Sequence, residues 1–461
     1  MPANVTLTRE TAYDTFIAVM EKGLRPEAVL EEAWQTYAKS MKRVDRNLVK
    51  EIVYGGLRWY SKIFWILQKT SSRDLTTVSP QVRAALVLGT YQIFYLDRVP
   101  DRAAVNESVE YVRKKGQASA VSFVNGILRQ IARRAEYFAK PDKQTEQADY
   151  LSLQFAFPKW MVERWLQQFK FDKLELMLAA MNQVPRHSLR LNTLKTPPNE
   201  VHLFQQRLLR EERTHSERGN LRGAVRAKES PNLEPESLFA QGLYTIQDEA
   251  AQLIGIVVDP QPDQVIIDAA AGPGGKISHL FELSGGKAKL TAIDNKPGKV
   301  ALGQSTLARL GHAGVDWVTS DFLEWKPKER ADKVLLDAPC TGLGVLRRHP
   351  EGKWHKKPQL ISTMVELQRR FIRHALTNCV KVGGEVIFSV CSFEREETED
   401  QLAWALKEFA GKVSVVSPVA RLPDYYKRYV TRENVLLIYP GNQDEMDGFA
   451  SFILLLDVAL S

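Results

Sequence analysis

From about residue 241 to the end, short apolar runs alternate with longer amphipathic ones, and this rhythm restricts the chain more than any other feature. The runs at 265–267, 290–293, 315–318, 334–336, 385–389, 435–439 and 449–455 read as strands, and helical patterns lie between them, as at 299–310 and 362–380. Such alternation calls for a doubly wound α/β sheet. The last two runs have no helix between them and are expected to pair as an antiparallel hairpin at the sheet edge. In an open sheet of this kind ligands bind beyond the carboxyl ends of the strands. Three of those ends carry reactive or ligand-binding residues. One runs from Asp268 into Ala-Ala-Ala-Gly-Pro-Gly-Gly-Lys, ending at Lys276; one passes through Asp337-Ala-Pro to Cys340; one ends at Cys391.

The glycine-rich turn lets backbone amides approach a ligand closely. It is neither GxGxxG nor a loop with a Lys-Ser/Thr pair, so dinucleotide and triphosphate binding are disfavoured. The next strand ends at Asp294, 26 residues beyond Asp268, where a carboxylate can accept from ribose hydroxyls. The third ends near Asp321, placed to accept from an adenine amino group or to orient its loop. A nucleoside cofactor of moderate size fits this set, and S-adenosylmethionine is the natural candidate. No CxxC or histidine pair has zinc spacing, so no metal is expected.

Upstream, residues from about 8 to 135 look all-helical, with Leu48, Ile52, Val53, Leu57 and Tyr60 at three- and four-residue spacing. A second such segment starts after Pro80 and stops before Val99-Pro100, and short polar connections imply a compact bundle. Arg43, Arg46, Arg58, Arg83, Arg98, Arg102 and Arg129 read as solvated helix surface or as a basic face. Residues 139–150 are polar and aperiodic and read as a linker. The following segment is mixed: a helix from Pro158, a strand at 188–192, a helix at 199–209, and exposed turns at 214–237. Three domains are expected: a helical one at 1–140, a small α/β one at 150–240, and the doubly wound one at 241–461.

The chain has 461 residues and a net charge of +8, which is compatible with a polyanionic partner. Its longest apolar run, at 452–456, is too short to cross a bilayer, and the first ten residues lack a signal-peptide pattern. Three cysteines suit a reducing compartment, so a cytoplasmic monomer with no membrane contact is expected. Cys379, on a helix before Gly383-Gly384, reads as a buried small hydrophobe.

Two thiols beside a sulfonium cofactor suggest covalent catalysis on a pyrimidine. Carbon 5 of cytosine is a poor nucleophile until a thiolate adds to carbon 6 and breaks the aromaticity. The reaction then needs a donor or acid at ring nitrogen 3, a methyl sulfonium in line with carbon 5, and a base to remove the carbon 5 proton. Asp337 sits where it can contact the base edge, and Pro339 stiffens the turn that follows. One of Cys340 and Cys391 must be partly thiolate, helped by Lys276, Arg347 or Arg348. Separate strands and the absence of GxGxxG disfavour a dithiol redox or NAD-dependent enzyme. An RNA chaperone with a vestigial methyltransferase fold is disfavoured by the complete chemical set.

Four stretches resemble the RsmB-type family of RNA 5-cytosine methyltransferases. They are residues 244–252, residues 268–276, Asp-Ala-Pro-Cys-Thr-Gly-Leu-Gly-Val-Leu-Arg-Arg-His-Pro at 337–350 with Lys353-Trp354, and Val-Cys-Ser at 390–392. Tyr-Leu-Asp-Arg-Val-Pro at 95–100 and Phe-Val-Asn-Gly-Ile-Leu-Arg at 123–129 look like the NusB-type domain found in that family. The resemblance implies an N-terminal NusB-like bundle, a small middle domain and a Rossmann-like class I methyltransferase that makes 5-methylcytosine in small-subunit ribosomal RNA. It implies that Cys391 is the nucleophile, that Cys340 assists product release, that Asp337 contacts the base and that Lys276 helps place it. It implies that S-adenosylmethionine lies against Ala270, Ala271, Gly272, Pro273, Gly274, Gly275, Lys276, Asp294, Asp321 and Asp337. Arg347, Arg348 and His349 follow the Cys340 loop and are expected to hold RNA phosphates, with Trp354 either stacking on a base or packing in a core. The chain departs from the family at Gly272, where alanine is usual, and at Val390, where threonine is typical.

Overall fold

The computed structural model describes residues 5–134 and 141–460. The polypeptide divides into two compact units, one of residues 1–183 with 346–357, the other of 184–345 with 358–461. The division does not follow the three expected segments. The helices Gln147–Phe155, Lys159–Leu166 and Phe171–Met181 group with the N-terminal bundle, and so does the short inserted stretch after residue 345. The expected boundary at residue 140, with linker residues 139 and 140, lies outside the described residues. The rest of that linker gives way to helix at Gln147, where Leu151 is fully buried.

The first unit is helical, as its periodicity requires. Leu7–Lys22, Pro26–Thr36, Arg43–Thr70, Pro80–Tyr95, Asp101–Lys114 and Val121–Arg134 pack around one apolar cluster that includes Phe16, Ile52, Leu57, Leu88, Val112 and Leu128. Ser79 caps the Pro80 helix by accepting from the Val82 amide, and proline at the first helical position costs no hydrogen bond there. Arg58 is not solvated surface: it is 5% exposed and donates to the Arg347 carbonyl at 3.0 Å. No helix among the described residues is long and apolar enough to cross a membrane.

The second unit holds two sheets. The smaller contains β1 (His187–Leu191), β2 (Ser216–Arg218), β3 (Ala224–Ala227) and β4 (Tyr244–Ile246), in the order β2-β3-β1-β4. The stretch 214–237, expected as exposed turns, thus supplies two of these strands. Its charged and turn residues mask the buried run Ala224, Val225, Ala227.

The larger sheet contains β5 (Val265–Asp268), β6 (Lys289–Asp294), β7 (Val315–Thr319), β8 (Ala331–Asp337), β9 (Val380–Val390), β10 (Val413–Val416), β11 (Leu436–Ile438) and β12 (Phe449–Leu456). Its order is β10-β12-β9-β8-β5-β6-β7, with β11 also on β12. Strands β5 to β9 run parallel, and β12 is antiparallel to β9. β11 and β12 do pair antiparallel, but β12 lies inside the sheet. The short strand β10, with only four residues, gave no clear sequence signal and takes the outer place beside it. The expected helix to residue 380 runs as α-helix to His374 and continues as a π-helical turn over Ala375–Cys379, and Val380 already belongs to β9. Cys379 is fully buried there, and burial pushes its thiol up to about 12.

Arg190 of β1 ties the small sheet to the helix Gly275–Leu283 that follows the glycine loop. It is 3% exposed and donates to the Gly275 carbonyl at 2.8 Å, to Ser278 Oγ at 2.8 Å, to Glu282 Oε1 at 3.0 Å, and to Gln247. Burial raises the Glu282 carboxyl pKa even against the pull of this guanidinium. Removing one partner of a buried pair strands the other charge, at a cost of about 3–5 kcal/mol. Arg190→Met is therefore expected to lower stability by about that much in urea unfolding followed by circular dichroism, and more than Glu282→Gln does.

Candidate active site

The carboxyl ends of β5, β6, β8 and β9 converge because the strands are parallel and in register. β8 pairs with β9 so that Asp337 stands opposite Ser389. Cys340 lies three residues past Asp337 and Cys391 two past Ser389, and the two sulfurs meet at 3.3 Å. Both thiols are partly buried and unoxidised. Asp337 is held from two sides: Lys276 Nζ donates to Oδ2 at 2.7 Å and Ser389 Oγ to Oδ1 at 3.2 Å. Lys276 also lies 5.1 Å from the centre of the Phe449 ring. Burial pulls the Lys276 ammonium down, but the Asp337 charge and hydrogen bond outweigh it, so the lysine stays protonated more firmly than usual.

The two thiols split one proton's worth of acidity. The hydrogen bond between the two sulfurs lowers Cys391, and Lys276 adds to this against the opposing effects of burial and Asp337. Cys340 moves well upward, first because of that same hydrogen bond and then through burial and the neighbouring charges. Acidity therefore shifts toward Cys391 and away from Cys340.

The glycine loop makes the adjoining wall. Gly272 and Gly274 have φ of 55° and 87°, conformations that side-chained residues rarely adopt. Ala271 N donates to the Ile293 carbonyl at 2.8 Å, and Gly272 N to Asp294 Oδ2 at 3.1 Å. Asp294 is 6% exposed and also accepts from Lys296 N at 2.9 Å and Lys299 Nζ at 3.4 Å, so it orders the loop as well as facing it. Asp321 is exposed and caps its own turn through the Leu323 amide at 2.9 Å.

Asp268 closes β5 at the start of the glycine loop. It is fully buried, no side chain among the described residues hydrogen-bonds its carboxylate, and the Ala270 backbone amide is the donor that acts on it. Burial, with Asp337 adding, pushes its carboxyl up to about 7. A buried acid with no side-chain donor, beside a glycine loop, fits a cationic ligand such as a sulfonium.

A second group escaped the sequence reading. Glu397, fully buried, accepts from Thr341 N at 2.8 Å, Thr341 Oγ1, Ser392 Oγ at 2.6 Å and Gln368 Nε2 at 2.9 Å. The only sequence signal was its place in an acidic run six residues beyond Cys391, which reads as a solvated helix start.

Arg347, Arg348 and His349 belong to the other unit. Arg347 is 8% exposed, and its backbone carbonyl accepts from Arg58. His349 Nδ1 lies 3.6 Å from Glu27 and 3.5 Å from Glu351. Trp354 takes the packing alternative, donating from Nε1 to the Leu57 carbonyl at 2.7 Å and meeting Tyr60 edge-on at 5.3 Å between ring centres.

Comparison with known proteins gives three adjoining matches. Residues 6–133 match the NusB family, 157–230 the ferredoxin-like domain of RsmF/B-type methyltransferases, and 255–455 the 16S rRNA methyltransferase RsmB/F. The chain is 30% identical over 438 residues to the Bacillus subtilis protein named probable ribosomal RNA small subunit methyltransferase B, covering 94% of this chain and 96% of that one. It is 30% identical to ribosomal RNA small subunit methyltransferase B of Klebsiella pneumoniae, covering 87% of this chain and 90% of that one. The crystal structure of the protein PH0851 shares the fold at a TM-score of 0.80 and 24% identity, covering 99% of this chain and 100% of that one.

The thiol arrangement sets an order of reactivity. In timed alkylation with iodoacetamide at neutral pH, read by peptide mass spectrometry, Cys391 is expected to label first, Cys340 later, and Cys379 only on unfolding. Faster labelling at Cys340 than at Cys391 would reverse the assignment.

Proposed function

The chain belongs to the RsmB/F family of 16S rRNA methyltransferases, and from that premise we propose that it methylates carbon 5 of a cytosine in small-subunit ribosomal RNA through a Cys391 adduct. The observation that carries this reading is the contact of the two sulfurs at 3.3 Å beside the Lys276–Asp337 pair. A structural cysteine pair needs neither a poised thiolate nor a neighbouring ammonium.

Cys391, as thiolate, adds to carbon 6 of the base, and the ring electrons move toward carbon 5 and nitrogen 3. Asp337, held by Lys276 and Ser389, faces the Watson–Crick edge, and Lys276 offsets negative charge that develops on the ring. S-adenosylmethionine, when bound, supplies the methyl group from its sulfonium. Asp268, the glycine loop and Asp294 are the residues that would hold it, with Asp321 and Asp337 at the border of that pocket. Bond formation at Cys391 removes its negative charge, and with it the chief reason that Cys340 holds its proton so tightly. Cys340 can then release its proton to solvent and, as thiolate, take the carbon 5 proton; the electrons of that C–H bond restore the carbon 5–carbon 6 double bond, and the Cys391–carbon 6 bond breaks with Cys391 leaving as thiolate. The target must leave its stack to reach two partly buried thiols. Arg348 and His349, half-exposed in the helical unit, remain the proposed phosphate contacts of that stretch.

Labelled S-adenosylmethionine and small-subunit ribosomal RNA test the assignment. Cys391→Ala is expected to abolish methyl transfer, and Cys340→Ala to accumulate a protein–RNA adduct that survives denaturing gels. Normal transfer by Cys391→Ala would remove the nucleophile; absence of any adduct would remove the release role of Cys340.

Cofactor affinity should also follow the Asp268 carboxyl. Its folded-state value of about 7 lies above the ordinary 3.8, so the acid is neutral at low pH and ionises as pH rises toward 7. A cation then binds more tightly, up to about tenfold per pH unit below that value. Calorimetry between about pH 5.5 and 7 is expected to show this rise, and Asp268→Asn to flatten it and weaken binding throughout.

A further inference from the structure

We propose that Glu397 is a positioning residue that fixes the separation of the two thiols, a role that rests on the two-cysteine reading above. Thr341 directly follows Cys340 and Ser392 directly follows Cys391. A single buried carboxylate takes both: Oε1 accepts from the Thr341 amide at 2.8 Å, and Oε2 from the Thr341 hydroxyl and from Ser392 Oγ at 2.6 Å. The two hydroxyls are themselves 3.2 Å apart. Gln368 completes the set, donating to Glu397 Oε1 at 2.9 Å and to the Pro339 carbonyl at 2.9 Å, and Gln401 fixes Gln368 at 3.0 Å. The residues on either side of Cys340 are therefore bonded to the same group that holds the residue after Cys391.

Two considerations exclude a direct chemical role. An ionised carboxylate has about four acceptor positions, and here four donors use them, which leaves none for substrate or for a travelling proton. The charge of Glu397 also disfavours thiolate at both cysteines. An acid that opposes activation of the nucleophile, yet bonds to both loops that carry the thiols, is explained by geometry. Misplacement of reacting groups by about 1 Å costs on the order of 100-fold in rate.

The test uses the full chain. Glu397→Gln turns one acceptor into a donor facing donors. The double variant Thr341→Val with Ser392→Ala removes the two hydroxyls and leaves the carboxylate. The first readout needs no RNA: the rate at which diamide, an azo oxidant that takes up two electrons and two protons, closes a Cys340–Cys391 disulfide. The second is single-turnover methylation, with cofactor affinity and thermal melting as controls. Both variants are expected to slow cross-linking and turnover on the order of 10–100-fold, while cofactor affinity stays within about twofold. If Glu397→Gln does not fold, the double variant decides. Cross-linking at the parent rate in a folded variant would overturn the clamp. Slowed cross-linking in a chain whose parent transfers no methyl group would keep the clamp and sink the two-cysteine function.

Discussion

The parallel pairing of β8 with β9 is the constraint on which the site depends. Its register sets Leu336 opposite Phe388 and Asp337 opposite Ser389. Both strands are buried: Val334, Leu335 and Leu336 on one, Val386, Ile387, Phe388 and Val390 on the other, all fully sequestered. Side chains alternate across a strand, so a slip by one residue would exchange the faces of every one of them. The register is thus fixed by hydrophobic burial along the strands, and the chemistry inherits it at their ends. Ala338 N donating to the Ser389 carbonyl at 2.9 Å extends the pairing one step past the strand. Beyond that point the two loops hold themselves together, through Gly344 N on the Cys391 carbonyl at 3.1 Å and through the Glu397 group.

Much of this was legible in the sequence, and the reason is physical. Short apolar runs bounded by turn residues mark strands, so seven of the eight strands of the large sheet stood out, even the half-exposed β7; β10, with a serine in four residues, did not. Strand ends beside glycine loops are where ligands bind in such sheets, so Asp337, Cys340, Cys391 and Lys276 could be named before any coordinates. The missed residues share one property: their meaning lies in partners far away in the chain. Glu397 looks like solvated charge until Thr341, 56 residues upstream, is found against it. Arg190 looks like one polar position in a strand until Glu282, 92 residues on, is seen beneath it. Asp268 was visible, but its lack of any side-chain donor was not.

The stretch 346–357 teaches the converse. Its arginines, histidine and tryptophan read as a nucleic-acid contact directly after the Cys340 loop. In the structure it serves the helical unit. Lys353 is 1% exposed and donates to the Arg58 carbonyl at 3.2 Å, the Ala156 carbonyl at 3.2 Å and Asn182 Oδ1 at 2.7 Å. Burial, with Arg58 nearby, drives its ammonium well below the ordinary range. Together with Trp354 on Leu57 and Tyr60, it fastens the inserted residues to the long helix Arg43–Thr70 and to the helices that follow residue 146. Basic and aromatic composition alone does not separate a phosphate contact from a buried anchor; hydrogen bonds to three separate segments do.

The acids at the strand ends divide by how their charge is met. Glu397 has four donors, Asp337 has Lys276 and Ser389, and Asp294 has two amides and Lys299. Asp268 has no side-chain donor, only the Ala270 backbone amide, though it is fully buried and Asp337 makes its ionisation harder still. An uncompensated carboxylate in a low-dielectric setting costs free energy, and an asparagine of the same shape would avoid most of that cost. Its position beside two glycines with positive φ gives the deficit a direction, because backbone there can approach a ligand without a side chain intervening. A ligand with positive charge would supply what the fold withholds, and it would do so at the carboxyl end of β5, within the same strand-end geometry that sets the thiols. The electrostatic gap and the covalent pair are therefore two consequences of one parallel sheet: its register gathers the groups, and its burial decides which of them are left needing a partner.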